Sequence, residues 1–101
     1  MFVPYQVVYS DAVKQRLREL SEVAIARGDG PEFLAALKAF VARLPVYPQF
    51  GDPIFDLTEK EGQIRLGIIR PLAMRYGVVE ETRQIFCVAL PILLPMDKPD
   101  T

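Results

Sequence analysis

The sequence predicts an α+β domain in which an N-terminal strand leads into a helical hairpin packed on an antiparallel sheet, in the order β-α-α-β-β-β-β. Three observations lead there. Between residues 11 and 44 apolar side chains recur at helical spacing. From residue 63 to residue 90 they alternate with the period of a strand. Between the two regimes lies PVYPQFGDP, residues 45–53, a loop with three prolines and a glycine.

Residues 2–9, FVPYQVVY, are β-branched and aromatic and predict the first strand. Tyr5, Val7 and Tyr9 fall on one face, Gln6 and Val8 on the other, and Pro4 sits near the start, where a strand tolerates it. Ser10-Asp11 offers an N-cap and a first-turn acid for a helix over 11–27. Val13, Leu17, Leu20 and Ala24 form its apolar stripe, and Arg27-Gly28 closes it. A second helix over 31–44 begins at Pro31 and Glu32, types suited to a helix start. Phe33, Leu37, Phe40 and Leu44 form its stripe, widened by Leu34 and Val41, and Pro45 stops it. The short link Gly28-Asp29-Gly30 makes the two helices an antiparallel hairpin.

After the loop, Pro53 to Leu57 reads as a short strand and Glu59-Lys60-Glu61-Gly62 as a charged turn. Gln63 to Ile69 sets Ile64, Leu66 and Ile68 against Arg65 and Gly67. Arg70-Pro71 marks a turn. Leu72 to Val79 sets Met74, Tyr76 and Val78 against Ala73, Arg75 and Val79. Glu80-Glu81-Thr82 connects to Arg83–Leu90, a strand apolar on both sides. Residues 1–96 are thus read as one domain and 97–101 as a polar tail. The expected core includes Leu17, Leu20, Phe33, Leu37, Phe40, Leu66 and Val88, with Tyr5, Tyr9 and Tyr76 facing it.

The 101 residues suit a single domain, and half of them are hydrophobic, enough for a core without disulfide or metal. Twelve basic against thirteen acidic residues leave a net charge of −1, so no overall field attracts nucleic acid. The absence of histidine removes the commonest general base, the commonest metal ligand and any Ser-His or Cys-His dyad. The lone Cys87 reads as a small buried hydrophobe. With no phosphate loop, zinc spacing or dinucleotide fingerprint, no cofactor or metal is expected. The N-terminus lacks the charged start and long apolar run of a leader, and the run Ile85 to Leu94 is about half a membrane span and holds Pro91. A cytoplasmic protein that does not enter a membrane is the expectation.

The strand Arg83–Leu90 can be covered by helices on one face only. The pattern therefore marks Phe86, Val88 and Leu90, with Ile92, Leu93 and Leu94 between Pro91 and Pro95, as a contact surface for a second copy or another partner.

The succession VVYSDAVKQRL, GPEFLAALKAFVARL with the loop PVYPQFGDP, then QIRLGII, AMRYGVVEE and RQIFCVAL, resembles the RelE/ParE superfamily of bacterial toxin–antitoxin modules over residues 2–90. The resemblance implies a cognate antitoxin as partner, and a target on the ribosome and its messenger RNA or on gyrase. In the ribonuclease members, basic residues on the sheet bind and cleave messenger RNA. Arg65 falls where the family often has a lysine, and Arg75 where it often has an arginine, so these two are the candidate catalytic residues. Arginine suits the task because its rigid fork can neutralise a phosphate in phosphoryl transfer. By alternation both are expected to point away from the core, onto one sheet face. Their plainer reading is solubilising charge, paired with Glu80 or Glu81.

The family's basic segment after the last strand, with the arginine and the tyrosine or histidine of the ribonucleases, has no counterpart in PILLP or in the tail MDKPDT. Gln63 also stands where a second basic residue is expected. The resemblance therefore implies a toxin–antitoxin-type protein acting through protein contacts without ribonuclease activity. An active ribonuclease using Arg65 and Arg75, and a structural homodimer with no toxin role, are the alternatives.

Overall fold

A computed structural model describes residues 3–56 and 62–95. The expected turn at 59–61, the end of the strand at Leu57 and the tail 97–101 lie outside them.

The first helix, α1, spans Asp11–Arg27. Its cap is the one the sequence offers: the Ser10 hydroxyl accepts the Val13 N–H at 3.1 Å. The helix ends at Gly28, whose φ of 86° is left-handed and lets its own N–H and that of Asp29 turn back onto the Ile25 and Ala24 carbonyls. The second helix, α2, runs Gly30–Arg43, one residue earlier at each end than expected. Asp29 between them is buried, and its carboxylate takes Arg27 Nε at 2.9 Å instead of capping α2.

The strands are β1 (Gln6–Val8), β2 (Asp52–Asp56), β3 (Gly62–Ile69), β4 (Leu72–Val79), β5 (Gln84–Cys87) and β6 (Ile92–Leu93). They lie in the order β1-β5-β4-β3-β2, with β6 alongside β4 past the end of β5. The pairs β2–β3, β3–β4 and β4–β5 are antiparallel. Arg70-Pro71, joined by a cis peptide bond, turns β3 into β4. β1 pairs with β5 in parallel. The two are far apart in sequence, so no hairpin dictates their direction. Arg83–Leu90 is not one strand as expected. It leaves the ladder after Cys87, keeps one bond from the Val88 N–H to the Arg75 carbonyl at 3.1 Å, and rejoins β4 at Ile92.

Both helices cover the same face of the sheet. Leu20 and Ala24 of α1 and Phe33, Ala36, Phe40 and Leu44 of α2 pack with Leu72, Met74, Tyr76, Val78 and Ile85 in one core. Leu17 and Leu37 are half-buried at its margin. Leu34 and Val41, expected to widen the α2 stripe, stay in water at 51% and 50% exposure.

Two other core expectations fail for one reason each. Val88 is 41% exposed because it lies where the chain leaves the ladder. Leu66 is half-buried because β3 turns its most apolar side away from the helices. Opposite Tyr76 and Met74, under α2, stand Arg65 and Gly67. A Cβ on Gly67 would lie 2.9 Å from Phe40, 3.0 Å from Tyr76 and 3.1 Å from Phe50. The three rings need that space, so this face of β3 is built from a glycine and an arginine where a hydrophobic pattern would look for the core.

Candidate functional site

Arg65 and Arg75 stand on opposite faces of the sheet, because Arg65 is paired across β3–β4 with Tyr76, and Arg75 with Leu66. The expectation that both arginines share one outward face is therefore corrected: alternation within each strand holds, but the core side of β3 is the arginine side.

Arg65 is engaged in the fold. Its guanidinium donates to the carbonyls of Gln49 at 3.2 Å and Gly51 at 2.5 Å, and to Gln63 Oε1 at 2.6 Å. Tyr76 holds the same loop from inside. Its hydroxyl donates to the Pro48 carbonyl and accepts the Gly51 N–H at 3.1 Å. Burial pushes the Tyr76 hydroxyl above the ordinary tyrosine range. The Phe50 ring completes the anchor, stacked 6.0 Å from Tyr76 and edge-on at 5.5 Å from Phe40. Residues 45–53 thus form a strap fastened to the sheet by one arginine and one tyrosine, and Arg65 serves as a clamp.

Most other arginines have structural partners too. Arg16 donates to the Pro91 carbonyl at 3.3 Å, Arg27 to Leu94 at 2.9 Å and Arg70 to Pro95 at 3.3 Å. Three guanidinium groups therefore hold the segment 91–95. Leu93 packs on the core opposite Leu72, and the Leu94 N–H bonds the Pro71 carbonyl. Leu93 and Leu94, expected to face a partner, are half-buried against their own chain. Arg83 lies 4.2 Å over the Tyr5 ring, while the Tyr5 hydroxyl donates to Glu80 at 2.6 Å. Glu80 is thus joined to Tyr5, not to Arg65 or Arg75.

The face of the sheet away from the helices carries Ile64, Leu66 and Ile68 from β3, Ala73, Arg75, Gly77 and Val79 from β4, Phe86 from β5 and Val8 from β1. Ile92 of β6 extends it beside Ala73. The two helices lie on the other side, yet Ile64, Ala73 and Val79 on this face are buried and Leu66 is half-buried. The far end of the Phe86 ring lies over Gly77, where an added Cβ would meet Cζ at 2.8 Å. Phe86, Ile68 and Ile92 are 37%, 48% and 51% exposed. Phe86, Val88, Leu90 and Ile92 of the expected contact set thus reach solvent, while Leu93 and Leu94 turn inward.

No family model, curated protein or solved structure matches this chain. What the face can do rests on its own chemistry. Among the described residues its charges are Arg75, and Asp52 at the start of β2, which the sequence pattern did not single out. Asp52 is paired with Leu66, and Leu66 with Arg75, so the three form one row across β2, β3 and β4. Both charged residues are exposed, and among the described residues neither side chain has a hydrogen bond or ion pair. The signal for Asp52 was available only through register: once Gly51 is fixed under Tyr76, the next residue must point the other way.

Tyr9 and Cys87 are the remaining groups with chemical potential. The Tyr9 hydroxyl is buried with no hydrogen-bond partner among the described residues. Burial, and then the nearby Cys87, push it up to about 12. Burial also raises the Cys87 thiol, which makes it a poor nucleophile. Among the described residues no group of His, Cys, Asp and Glu is placed to hold a metal, and no helix is long and apolar enough to cross a membrane.

Proposed function

We propose that the chain is a toxin–antitoxin-type protein resembling the RelE/ParE superfamily, and that it acts through protein contacts on the helix-free face of its sheet. The observation that carries this reading is that face: Val8, Ile68, Phe86 and Ile92 stand in water on one side of a sheet whose other side holds the core under the helices. An exposed apolar surface of this kind marks a site of association. Placement of the arginines favours contact over RNA cleavage: Arg65 is tied to Gln49 and Gly51, with Arg75 on the opposite face, so the pair does not converge on one phosphate.

The test is inducible expression in a bacterium, with growth and messenger RNA integrity followed together. Growth arrest with intact messenger RNA, relieved by Ile68→Asp, supports the reading. No arrest removes the toxin role. Arrest with cleaved messenger RNA, reproduced by the purified protein with ribosomes, establishes the ribonuclease instead.

A further inference from the structure

We infer that the helix-free face pairs with a second copy of this chain about a two-fold axis running along β3, bringing Asp52 of each copy onto Arg75 of the other. The inference rests on reading this face as a contact surface and names its occupant. The row Asp52–Leu66–Arg75 carries it. One acid and one base stand on either side of a leucine, each about one strand spacing of ~4.8 Å from it. A two-fold axis in the plane of the interface, along β3 at Leu66, exchanges the two sides of that row. It sets β2 of one copy over β4 of the other, so both Asp52–Arg75 pairs form at once and Leu66 meets its own copy between them. Strands of the two copies then stay nearly aligned, as face-to-face sheets prefer. The arrangement is closed and uses the same patch twice, the usual form of a small homodimer.

The alternatives place these charges badly. A two-fold axis running across the strands at this row puts Arg75 on Arg75. A wholly apolar partner leaves both charges without a counter-ion as water is excluded. The charge pattern matches a second copy under one operator, and that sets orientation more than strength. Overlap is centred on β3, where it covers the exposed Ile68 and the half-buried Leu66 between the two charge pairs; Ile64 and Ala73 beside them are already buried within the chain. Val8, Phe86 and Ile92, on strands beyond β4, lie outside it. Such a contact is small for a permanent dimer, so exchange at micromolar concentration is expected.

The experiment is sedimentation equilibrium on the full chain and three variants, with thermal unfolding of each. Arg75→Asp sets acid against acid twice, and Asp52→Arg sets base against base twice. Each is expected to raise the dimer dissociation constant at least about tenfold. The double variant Asp52→Arg/Arg75→Asp restores the pairs in reversed sense and is expected to dimerise like the native chain. If a charge-reversed variant does not fold, raising salt from about 50 to about 500 mM on the native protein reads the same pairs, and dissociation must increase. A native chain that stays monomeric, a dimer indifferent to the single variants and to salt, or a double variant that fails to recover overturns the inference. Growth arrest is scored separately, so a dimer without arrest rejects the toxin role alone, and arrest by a monomer rejects the second copy alone.

Discussion

Replacing Tyr76 with phenylalanine removes one oxygen and leaves two backbone groups unpaired, the Pro48 carbonyl and the Gly51 N–H. Both are buried with the tyrosine, so Tyr76→Phe should cost about 1–3 kcal/mol in urea unfolding with the ring packing kept. Tyr9 behaves in the opposite way. Its hydroxyl is buried without a partner among the described residues, so Tyr9→Phe should gain about 1 kcal/mol. Its pH dependence has a definite sign. The folded value of about 12 lies above the unfolded value. The stabilisation is therefore complete below about pH 10, the unfolded tyrosine value, and is lost as pH climbs through the folded one. Tyr5 and Tyr76 are raised as well, so Tyr9→Phe should flatten only part of the alkaline loss, followed by tyrosinate absorbance alongside unfolding. The sequence assigned Tyr5, Tyr9 and Tyr76 to the core side; Tyr5 and Tyr76 lie in the core, and Tyr9 is half-buried. It could not say that Tyr76 fastens a loop or that Arg65 helps, because both roles depend on where residues 45–53 return to the sheet.

The helices were legible almost to the residue because their signals are local: Ser10, Gly28, Pro31 and Pro45 act within a turn of themselves. Gly28→Ala should therefore show a purely conformational cost of about 1–2 kcal/mol, since no atom lies within 4 Å of the added Cβ and only the left-handed φ resists it. Phe40→Ala empties a fully buried site against Phe50 and should cost about 3–5 kcal/mol; Leu37→Ala, half-buried, should cost less. The strands were legible in period but not in facing. On β3 the more apolar side, Ile64-Leu66-Ile68, looked like the core side, yet the rings of Phe40, Phe50 and Tyr76 fill the space over Gly67. Alternation fixes which residues share a face, while the partner layer decides which face is inside. The break in Arg83–Leu90 escaped detection because nothing local marks it before Pro91. Its visible consequence is the exposure of Val88.

At the scale of the molecule, a sheet packed on one side by two helices leaves its other side to be explained. Five arginines, Arg16, Arg27, Arg65, Arg70 and Arg83, are bonded to main-chain carbonyls. Arg18 bonds the Gln15 side chain and Arg43 lies over the Phe50 ring, whereas Arg75 is set in the helix-free face in line with Asp52. The sequence had indicated that Phe86, Val88, Leu90 and Ile92 need cover, from the run of apolar residues at 85–94. It grouped Leu93 and Leu94 with them; these two are half-buried against the chain itself, held by long-range carbonyl contacts of Arg16, Arg27 and Arg70 that no local pattern signals. The central claim is that association uses the sheet face and not the helix face, whose Leu34 and Val41 are equally exposed. Sedimentation velocity of the native chain, Ile68→Asp and Val41→Asp decides it most directly, since both substitutions fall on exposed side chains and should leave thermal stability within about 0.5 kcal/mol. The account predicts a concentration-dependent dimer that Ile68→Asp abolishes and Val41→Asp leaves intact; a dimer lost with Val41→Asp and kept with Ile68→Asp would contradict it.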